Sequence, residues 1–259
     1  MKLGDNMKIK MYVNNEKIIA GMTMKDRDEL EQGNMALHVC INPEHVLENR
    51  KKLATSLSSK IDNFVCANQT HSAHFHRVGF TDKGRGAITK DTAIADTDAL
   101  YTFEPNIVLS SFTADCVPVI FYNKMNGLIG VIHSGWQGTI KEVTPKLLKH
   151  LKEVENCNPS DFHVQIGAAL SQEKFEVNED VYIKFDNLGY ANDFMYYKES
   201  TNKYHIDNQL TVKKQCELAG IPSEQITIDP TCTFTSPDGF SYREDKQTGR
   251  HLSFIVRKE

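Results

Sequence analysis

The sequence predicts a single α/β (α+β) domain in which helices flank a mixed β-sheet core. Its 259 residues are enough for one large domain with a sizeable apolar core. Short apolar runs at 107–112, 117–122 and 127–132 have the length and composition of strands. Single helical segments alternate with such runs, as in mixed α/β domains. Because no repeat or long linker interrupts the chain, we expect one domain over 18–259, preceded by an N-terminal extension and first strand over 1–17.

The first helix is predicted to begin after Asn42. Asn42 is a suitable N-cap, Pro43 fits the first helical position, and Glu44 favours the positive end of the helix dipole. Apolar residues then recur at helical spacing on one face, namely Val46, Leu47, Leu53, Ala54 and Leu57.

The apolar runs at 117–122 and 127–132 are expected to pair as a hairpin, because the polar segment between them, Asn123-Lys124-Met125-Asn126, suits a short loop. Pro118 has no backbone N–H to donate. It therefore fits the start or the edge of a strand, and not the middle of a central one.

After this hairpin the chain is expected to turn at Gly135 and Gly138 and to enter a helix at Thr139. Thr139 and Glu142 have the spacing of a capping box. Pro145 should kink the helix that follows or split it in two. The later elements predicted by the same criteria are a strand at 162–166, helices at about 178–187 and 208–219, and a strand at 252–256.

Composition argues against several classes of function. The formal net charge of −4 gives no electrostatic basis for binding nucleic acid or an anionic membrane surface. No apolar run approaches the roughly 20 residues that span a bilayer, and the N-terminus has no signal-peptide core. We therefore expect a cytoplasmic location. The six cysteines are scattered singly, which argues against a disulfide framework. Met7 is an alternative start, which would make residues 1–6 an extension.

Three segments that are distant in sequence each carry one potential metal ligand: His71, Cys116 and His133. Two imidazoles and one thiolate that converge would bind zinc and leave a fourth position open, as in catalytic zinc sites. Each of these residues alone is more often structural, so the prediction depends on all three meeting. Asp115 supports it, because an ionisable group beside an apolar strand is costly without a partner or a function.

Together these segments resemble the laccase-domain family, also called the multicopper polyphenol oxidoreductase family, whose members include zinc-dependent purine nucleoside phosphorylases. The family pattern is Q-x-H, then A-D-C-x-P, then H-x-G-W-x-G. This chain matches it with Gln69-Thr70-His71, Ala114-Asp115-Cys116-Val117-Pro118 and His133-Ser134-Gly135-Trp136-Gln137-Gly138. The similarity extends from about residue 18 to the C-terminus. Gln137 and Ala168 depart from the pattern, which commonly has Arg and Pro at these positions.

The resemblance implies one zinc ion bound by His71, Cys116 and His133, and a fold distantly similar to cysteine-hydrolase-like toxin domains. It also implies phosphorolysis of adenosine, inosine, guanosine and methylthioadenosine, together with hydrolytic deamination of adenosine. The expected partners are thus small-molecule purine nucleosides and phosphate, with no nucleic acid and no membrane.

Roles for other residues are hypotheses drawn from this chemistry. In deamination a zinc-bound water would attack the purine, and Asp115 would accept or relay the proton, or else orient a ligand. Arg243 is the first candidate for binding phosphate and Arg50 the second, because a guanidinium holds phosphate in a bidentate fork. Either arginine could instead be a structural ion-pair partner. Gln69 is expected to hydrogen-bond the substrate or to close a turn.

Three alternative functions remain open. A multicopper polyphenol oxidase, or laccase, would need many histidines in H-x-H pairs, and the chain has one such pair, His74-Phe75-His76. A single copper in place of zinc is compatible with the ligands, because copper outcompetes zinc at most N/S sites. A metal-free hydrolase would use Cys116 as nucleophile, His133 as base and His71 as an orienting residue or a second base. A zinc-stabilised binding module would use the same three ligands without catalysis. The sequence does not predict the oligomeric state.

Overall fold

The computed structural model describes residues 7–259, which form three β-sheets and five α-helices. The extension predicted for residues 1–6 lies outside the described residues. The strands are β1 (Ile9–Asn14), β2 (Ile18–Thr23), β3 (Phe64–Cys66), β4 (Phe75–Arg77), β5 (Ala99–Thr102), β6 (Val108–Thr113), β7 (Val117–Asn123), β8 (Ile129–Ser134), β9 (Phe162–Ile166), β10 (Glu176–Val177), β11 (Met195–Lys198), β12 (Lys203–Ile206), β13 (Ile226–Ile228) and β14 (His251–Arg257). The helices are α1 (Pro43–Ser56), α2 (Trp136–Ile140), α3 (Val143–Glu153), α4 (Glu179–Asp186) and α5 (Asn208–Leu218).

The two larger sheets are both mixed. One has the order β1-β2-β14-β6-β3 and the other the order β13-β9-β7-β8-β5-β4. The pairs β3/β6, β4/β5 and β9/β13 are parallel, and the other pairs in these sheets are antiparallel. A third, small sheet has the order β10-β12-β11. The predicted mixed β core is therefore confirmed, although it consists of two large sheets and not of one.

The core is layered. One apolar cluster lies between the two larger sheets and joins side chains of β2, β6 and β14 to side chains of β5, β7 and β8. A second cluster packs α3 and α5 on the other face of the six-stranded sheet. A third packs α1 on the other face of the five-stranded sheet. Helices thus flank a double β layer, as expected when each sheet must bury both of its faces.

The first helix and the hairpin form as predicted. The side chain of Asn42 accepts a hydrogen bond from the backbone N–H of Glu44 at 3.0 Å, and α1 begins at Pro43. Strands β7 and β8 are antiparallel neighbours joined by the predicted polar loop. Pro118 is the second residue of β7, so a central strand tolerates it at its start.

The prediction for the segment after β8 was wrong in one respect. Helix α2 already begins at Trp136, and Thr139 lies within it and not at a cap. The Thr139 hydroxyl bonds back to the carbonyl of Gly135 at 3.2 Å, and Glu142 has a left-handed φ of 59°, which ends the helical path. The predicted split is confirmed. It lies before Pro145, which occupies the first turn of α3, where a missing N–H costs nothing.

The remaining predicted elements are present, one with the predicted bounds and three with ends that differ by one residue. They are β9, α4, α5 and β14, and Gly220 closes the region after α5 with a φ of +98°. All six cysteines are free. None of the helices in residues 7–259 has the length and apolar character that a bilayer crossing requires.

Candidate active site

The three predicted metal ligands meet in space. The ligating atoms of His71, Cys116 and His133 all lie within 4.8 Å of one another. The Cys116 Sγ is 3.7 Å from the His71 Nε2, and the two imidazole rings stand edge to face with centroids 4.7 Å apart. Two nitrogens and one sulfur at this spacing match the donor set of a zinc site that keeps a fourth position for water or substrate.

Strand ends and one loop position these side chains. Cys116 immediately precedes β7, and His133 lies near the end of β8. The pairing of these two strands therefore brings both side chains to the same end of the hairpin. His71 lies in the loop between β3 and β4 with a left-handed φ of 58°. Gly135 completes the arrangement. A Cβ at this position would lie 2.6 Å from the His71 Cδ2 and 2.9 Å from the Cys116 Sγ, so a larger residue cannot fit.

One buried carboxylate, Asp98, supports two of the three ligands. Its Oδ1 accepts hydrogen bonds from the His133 Nδ1 at 2.7 Å and from the His71 backbone N–H at 3.1 Å. Its Oδ2 accepts from both the N–H and the hydroxyl of Ser72 at 2.6 Å. Desolvation disfavours the charge on Asp98. The hydrogen bonds from His133 and Ser72 outweigh it and lower the pKa of the carboxyl to about 2. The bond at Nδ1 leaves the Nε2 of His133 to face a metal.

Asp98 is the functional residue that the sequence analysis did not single out. The feature that singled out Asp115, an ionisable residue beside an apolar strand, also applies to Asp98, because Asp98 directly precedes the buried strand β5. An ionised side chain at such a position needs partners. Its partner in β8 is 35 residues away in sequence, and no local pattern links the two.

Replacement of Asp98 by asparagine is expected to weaken metal binding by about tenfold to a hundredfold, the usual cost of losing a hydrogen-bond partner of a ligating histidine. An amide is neutral and does not stabilise the His133 tautomer as the carboxylate does. Competition with a chromophoric chelator measures the affinity. Asp96→Asn is the matched control, because Asp96 is exposed and contacts His74 and Thr70 instead of a ligand side chain. Equal affinities for the two variants would contradict the role given to Asp98.

Cys116 and His133 favour each other's charged forms. Desolvation acts to raise the pKa of the Cys116 thiol, but the positive charge of His133 and hydrogen bonds from both histidines lower it below its usual value. Desolvation likewise acts to lower the pKa of His133, and the Cys116 charge and the Asp98 hydrogen bond raise it. These interactions favour the thiolate, which is the form that binds metal and the form that attacks electrophiles.

Asp115 lies beside the ligands, and its carboxylate anchors a different part of the chain. It accepts hydrogen bonds from the Thr233 hydroxyl at 2.6 Å, the Ser241 hydroxyl at 3.0 Å and the Arg243 backbone N–H at 2.7 Å. Its own φ of +82° is in the left-handed region. Within residues 7–259 its hydrogen bonds do not reach the three ligands, so Asp98 and not Asp115 orients His133. The proton-relay role stays a prediction.

The predicted substrate-binding residues Gln69 and Arg50 use most of their hydrogen-bonding groups on the backbone. The amide of Gln69 donates to the Phe112 carbonyl and accepts from the Phe112 N–H, both at 2.8 Å. Arg50 is 2% exposed, and its Nε and Nη1 donate to the carbonyls of Met35, Gly86 and Ala87. Both residues nevertheless line a cavity that reaches the ligands.

Two cavities meet at the ligands, and His71 and Cys116 line both. One, of about 560 Å³, has aromatic and apolar walls that include Trp136, Phe175 and Tyr242. The exposed Arg243 also lines this cavity and donates from Nη1 to the Glu176 carbonyl at 3.0 Å. The other cavity, of about 760 Å³, is lined by Arg50, Gln69, Lys90 and Arg250 among others. A metal at the ligands would be reached from both sides.

Comparison with known proteins identifies the family of this chain. Residues 22–258 match the family model described as multi-copper polyphenol oxidoreductase laccase, and they lie inside the range 18–259 expected to form one domain. The chain is 34% identical over 252 residues to a protein of Bacillus subtilis named purine nucleoside phosphorylase YlmD, covering 95% of this chain and 91% of that protein.

Two solved structures share the fold. A hypothetical protein of Bacillus licheniformis, YfiH, superposes with a TM-score of 0.92 at 32% identity, covering 98% of both chains. YlmD of Geobacillus stearothermophilus superposes with a TM-score of 0.89 at 29% identity, covering 98% of this chain and 100% of that chain. With the motifs, the converging ligands and matches over nearly its whole length, the chain belongs to the multi-copper polyphenol oxidoreductase laccase family.

Proposed function

We propose that this protein is a zinc-dependent purine nucleoside phosphorylase that acts on adenosine, inosine, guanosine and methylthioadenosine and also deaminates adenosine. The observation that carries the proposal is the convergence of His71, Cys116 and His133 at the junction of two cavities. The name of the Bacillus subtilis relative supports the phosphorylase activity. A cytoplasmic location is part of the proposal, because its substrates are nucleosides and phosphate.

Phosphorolysis of the nucleoside involves no oxidation or reduction and needs no redox partner. A phosphate oxygen forms a bond to C1′ of the ribose while the bond from C1′ to N9 of the purine breaks. The electron pair goes to N9, which gains the proton that the attacking hydrogen phosphate gives up as the base leaves, and ribose 1-phosphate is the second product. Bound zinc would supply a Lewis acid at this junction. Trp136 and Phe175 would exclude water from the purine and hold its flat faces.

The ligand inventory favours zinc chemistry over polyphenol oxidation. In residues 7–259, His71, Cys116 and His133 form the one group of three or more metal-ligating side chains. A multicopper oxidase needs separate ligand groups for several copper ions. His74 and His76, the predicted H-x-H pair, bond instead to the carboxylates of Asp96 and Asp82. One copper ion in place of zinc is compatible with the same three ligands.

A metal-free thiol hydrolase is the second candidate, because Cys116, His133 and Asp98 form a nucleophile–base–orienter series. The thiolate is stabilised by His133, and Asp98 holds the far nitrogen of that imidazole at 2.7 Å. Activated cysteine enzymes use this arrangement. The positions of His71 and Gly135 favour the metal, since the His71 imidazole lies against both Cys116 and His133 and the lack of a side chain at Gly135 leaves room for it there.

The deciding experiment combines metal analysis with turnover of inosine and adenosine in the presence and absence of phosphate. We expect close to one zinc per chain, release of hypoxanthine that requires phosphate, and an equal amount of ribose 1-phosphate. Chelation should abolish both this activity and ammonia release from adenosine, and added zinc should restore them. Base release that proceeds equally well without phosphate would exclude the phosphorylase. Hydrolysis that survives chelation would favour the thiol enzyme.

A further inference from the structure

The cavity that contains Arg50 and Gln69 is strongly cationic. Arg50, Lys90 and Arg250 line it, and Asp91 is the one carboxylate among its lining residues in the described part of the chain. The aromatic cavity, which shares His71 and Cys116 with it, differs in charge. There Lys203 and Arg243 are accompanied by three carboxylates, those of Asp115, Glu176 and Asp180. The cationic cavity therefore suits an anionic substrate, and the aromatic cavity suits an uncharged, flat one.

Arg50 offers a preorganised contact for an anion in this cavity. Its guanidinium is almost wholly buried, and three backbone carbonyls fix its orientation through Nε and Nη1. Its other terminal nitrogen, Nη2, makes no hydrogen bond within residues 7–259, although the side chain lines the cavity. A guanidinium stays charged at any physiological pH, and a desolvated charge without an anionic partner is unfavourable. An oxyanion in the cavity would supply that partner.

Arg250 and Lys90 extend the contact. The Nη1 of Arg250 donates to the carbonyls of Thr248 and Gly249, and its guanidinium lies 5.7 Å from the Tyr242 ring. Within residues 7–259, neither Arg250 nor Lys90 forms an ion pair with a carboxylate. His38 also lines the cavity. Desolvation, followed by the charges of Arg250, Arg50 and Lys90, lowers the pKa of His38 to about 4, as expected for an imidazole that shares a cavity with all three cations.

We propose that this cationic cavity is the subsite for a phosphate oxyanion, bound by Arg250, Lys90 and the Nη2 of Arg50, while the purine occupies the aromatic cavity. The inference rests on the proposed function and assigns its two substrates to two places. Displacement at C1′ requires the nucleophile to approach opposite the leaving base. Two separate cavities that share His71 and Cys116 leave room for the base and the phosphate to lie in different places around C1′. Arg243, the first phosphate candidate from the sequence, lies in the cavity assigned to the purine.

The test uses the zinc-loaded protein with Arg250→Met, Lys90→Met and Arg243→Met. We expect Arg250→Met to raise the KM for phosphate and the Kd for inorganic phosphate, measured by calorimetric titration, by about tenfold, as for loss of a charge-assisted hydrogen bond. Lys90→Met, at an exposed position, should raise both by about threefold. Neither variant should change the KM for inosine by more than about twofold. Arg243→Met should leave the phosphate constants unchanged.

The variants separate failure of the subsite from failure of the proposed function. Phosphate binding that is unchanged in both Arg250→Met and Lys90→Met, or that is lost in Arg243→Met, would overturn the subsite even if phosphorolysis is robust. If the protein binds phosphate through Arg250 and Lys90 but releases no base, the subsite stands and the phosphorylase fails. Ribose 1-phosphate, titrated in parallel, distinguishes a preference for the free anion from one for the sugar phosphate. The side chain of Lys90 makes no hydrogen bond or ion pair within residues 7–259, so its variant tests the subsite without disturbing the fold.

Discussion

Replacing Cys116 by serine should remove zinc and nucleoside phosphorolysis while the protein stays folded. A hydroxyl is a much poorer zinc ligand than a thiolate, and two imidazoles alone hold the metal weakly. Because a catalytic metal supplies several kcal/mol of transition-state stabilisation, we expect kcat/KM to fall by about a thousandfold. Cys116 directly precedes β7 and does not belong to the apolar clusters, so the melting temperature should change little. Metal analysis, inosine phosphorolysis and a melting curve measure the three quantities.

Cys232→Ser is the matched control for this variant. Cys232 is also a half-buried free thiol, and its sulfur accepts a hydrogen bond from the Ser171 N–H at 3.4 Å. It lies outside the metal-ligating group, so zinc content and turnover should be retained. If Cys116→Ser unfolds while Cys232→Ser does not, the metal is structural, as the binding-module hypothesis holds. If Cys116→Ser keeps its zinc and its activity, the assignment of the site is wrong.

Adding one methyl group at Gly135 should be almost as damaging as removing a ligand. The new Cβ would lie 2.6 Å from the His71 Cδ2 and 2.9 Å from the Cys116 Sγ, closer than real Cβ contacts allow. The imidazole and the sulfur must move apart, and all three ligands can then no longer reach one ion. We expect zinc affinity to fall by about a hundredfold or more, with a matching loss of turnover. The measurements are chelator competition and inosine phosphorolysis.

Gly138→Ala separates this steric effect from a general cost of replacing glycine. A Cβ at Gly138 would have its nearest neighbour, the His133 carbonyl oxygen, at 3.4 Å, which is ordinary contact. Gly138 lies inside α2, where alanine stabilises a helix by about 0.5–1 kcal/mol relative to glycine. This variant should keep its zinc and melt at the same or a higher temperature. Equal loss of zinc in both glycine variants would show that the close approach at Gly135 is not the cause.

The sequence was most informative where the interactions are local. The cap at Asn42, the β7/β8 hairpin and the break near Pro145 depend on neighbours a few residues apart, and all are confirmed. The predicted start of α2 at Thr139 was wrong, because the helix begins at Trp136 and the Thr139 hydroxyl bonds back to the Gly135 carbonyl instead of capping the helix. Short strands such as β10 and β13 were missed, because they exist through pairing with distant partners.

The same distinction applies to the site. The motifs correctly predicted that His71, Cys116 and His133 would meet. Motifs do not reveal contacts of side chains with backbone carbonyls, which any sequence can provide. The three carbonyl partners of Arg50 and the pairing of Gln69 with the Phe112 backbone therefore emerge from the fold alone.

The shared carboxylate of Asp98 has a thermodynamic consequence. It bonds β8 through His133 and the loop before β4 through His71 and Ser72, so ordering of the loop and capture of the ion are linked equilibria. By reciprocity, the factor by which a bound ion favours the ordered loop equals the factor by which the ordered loop raises the affinity for the ion. Loss of the ion should therefore make the loop less ordered.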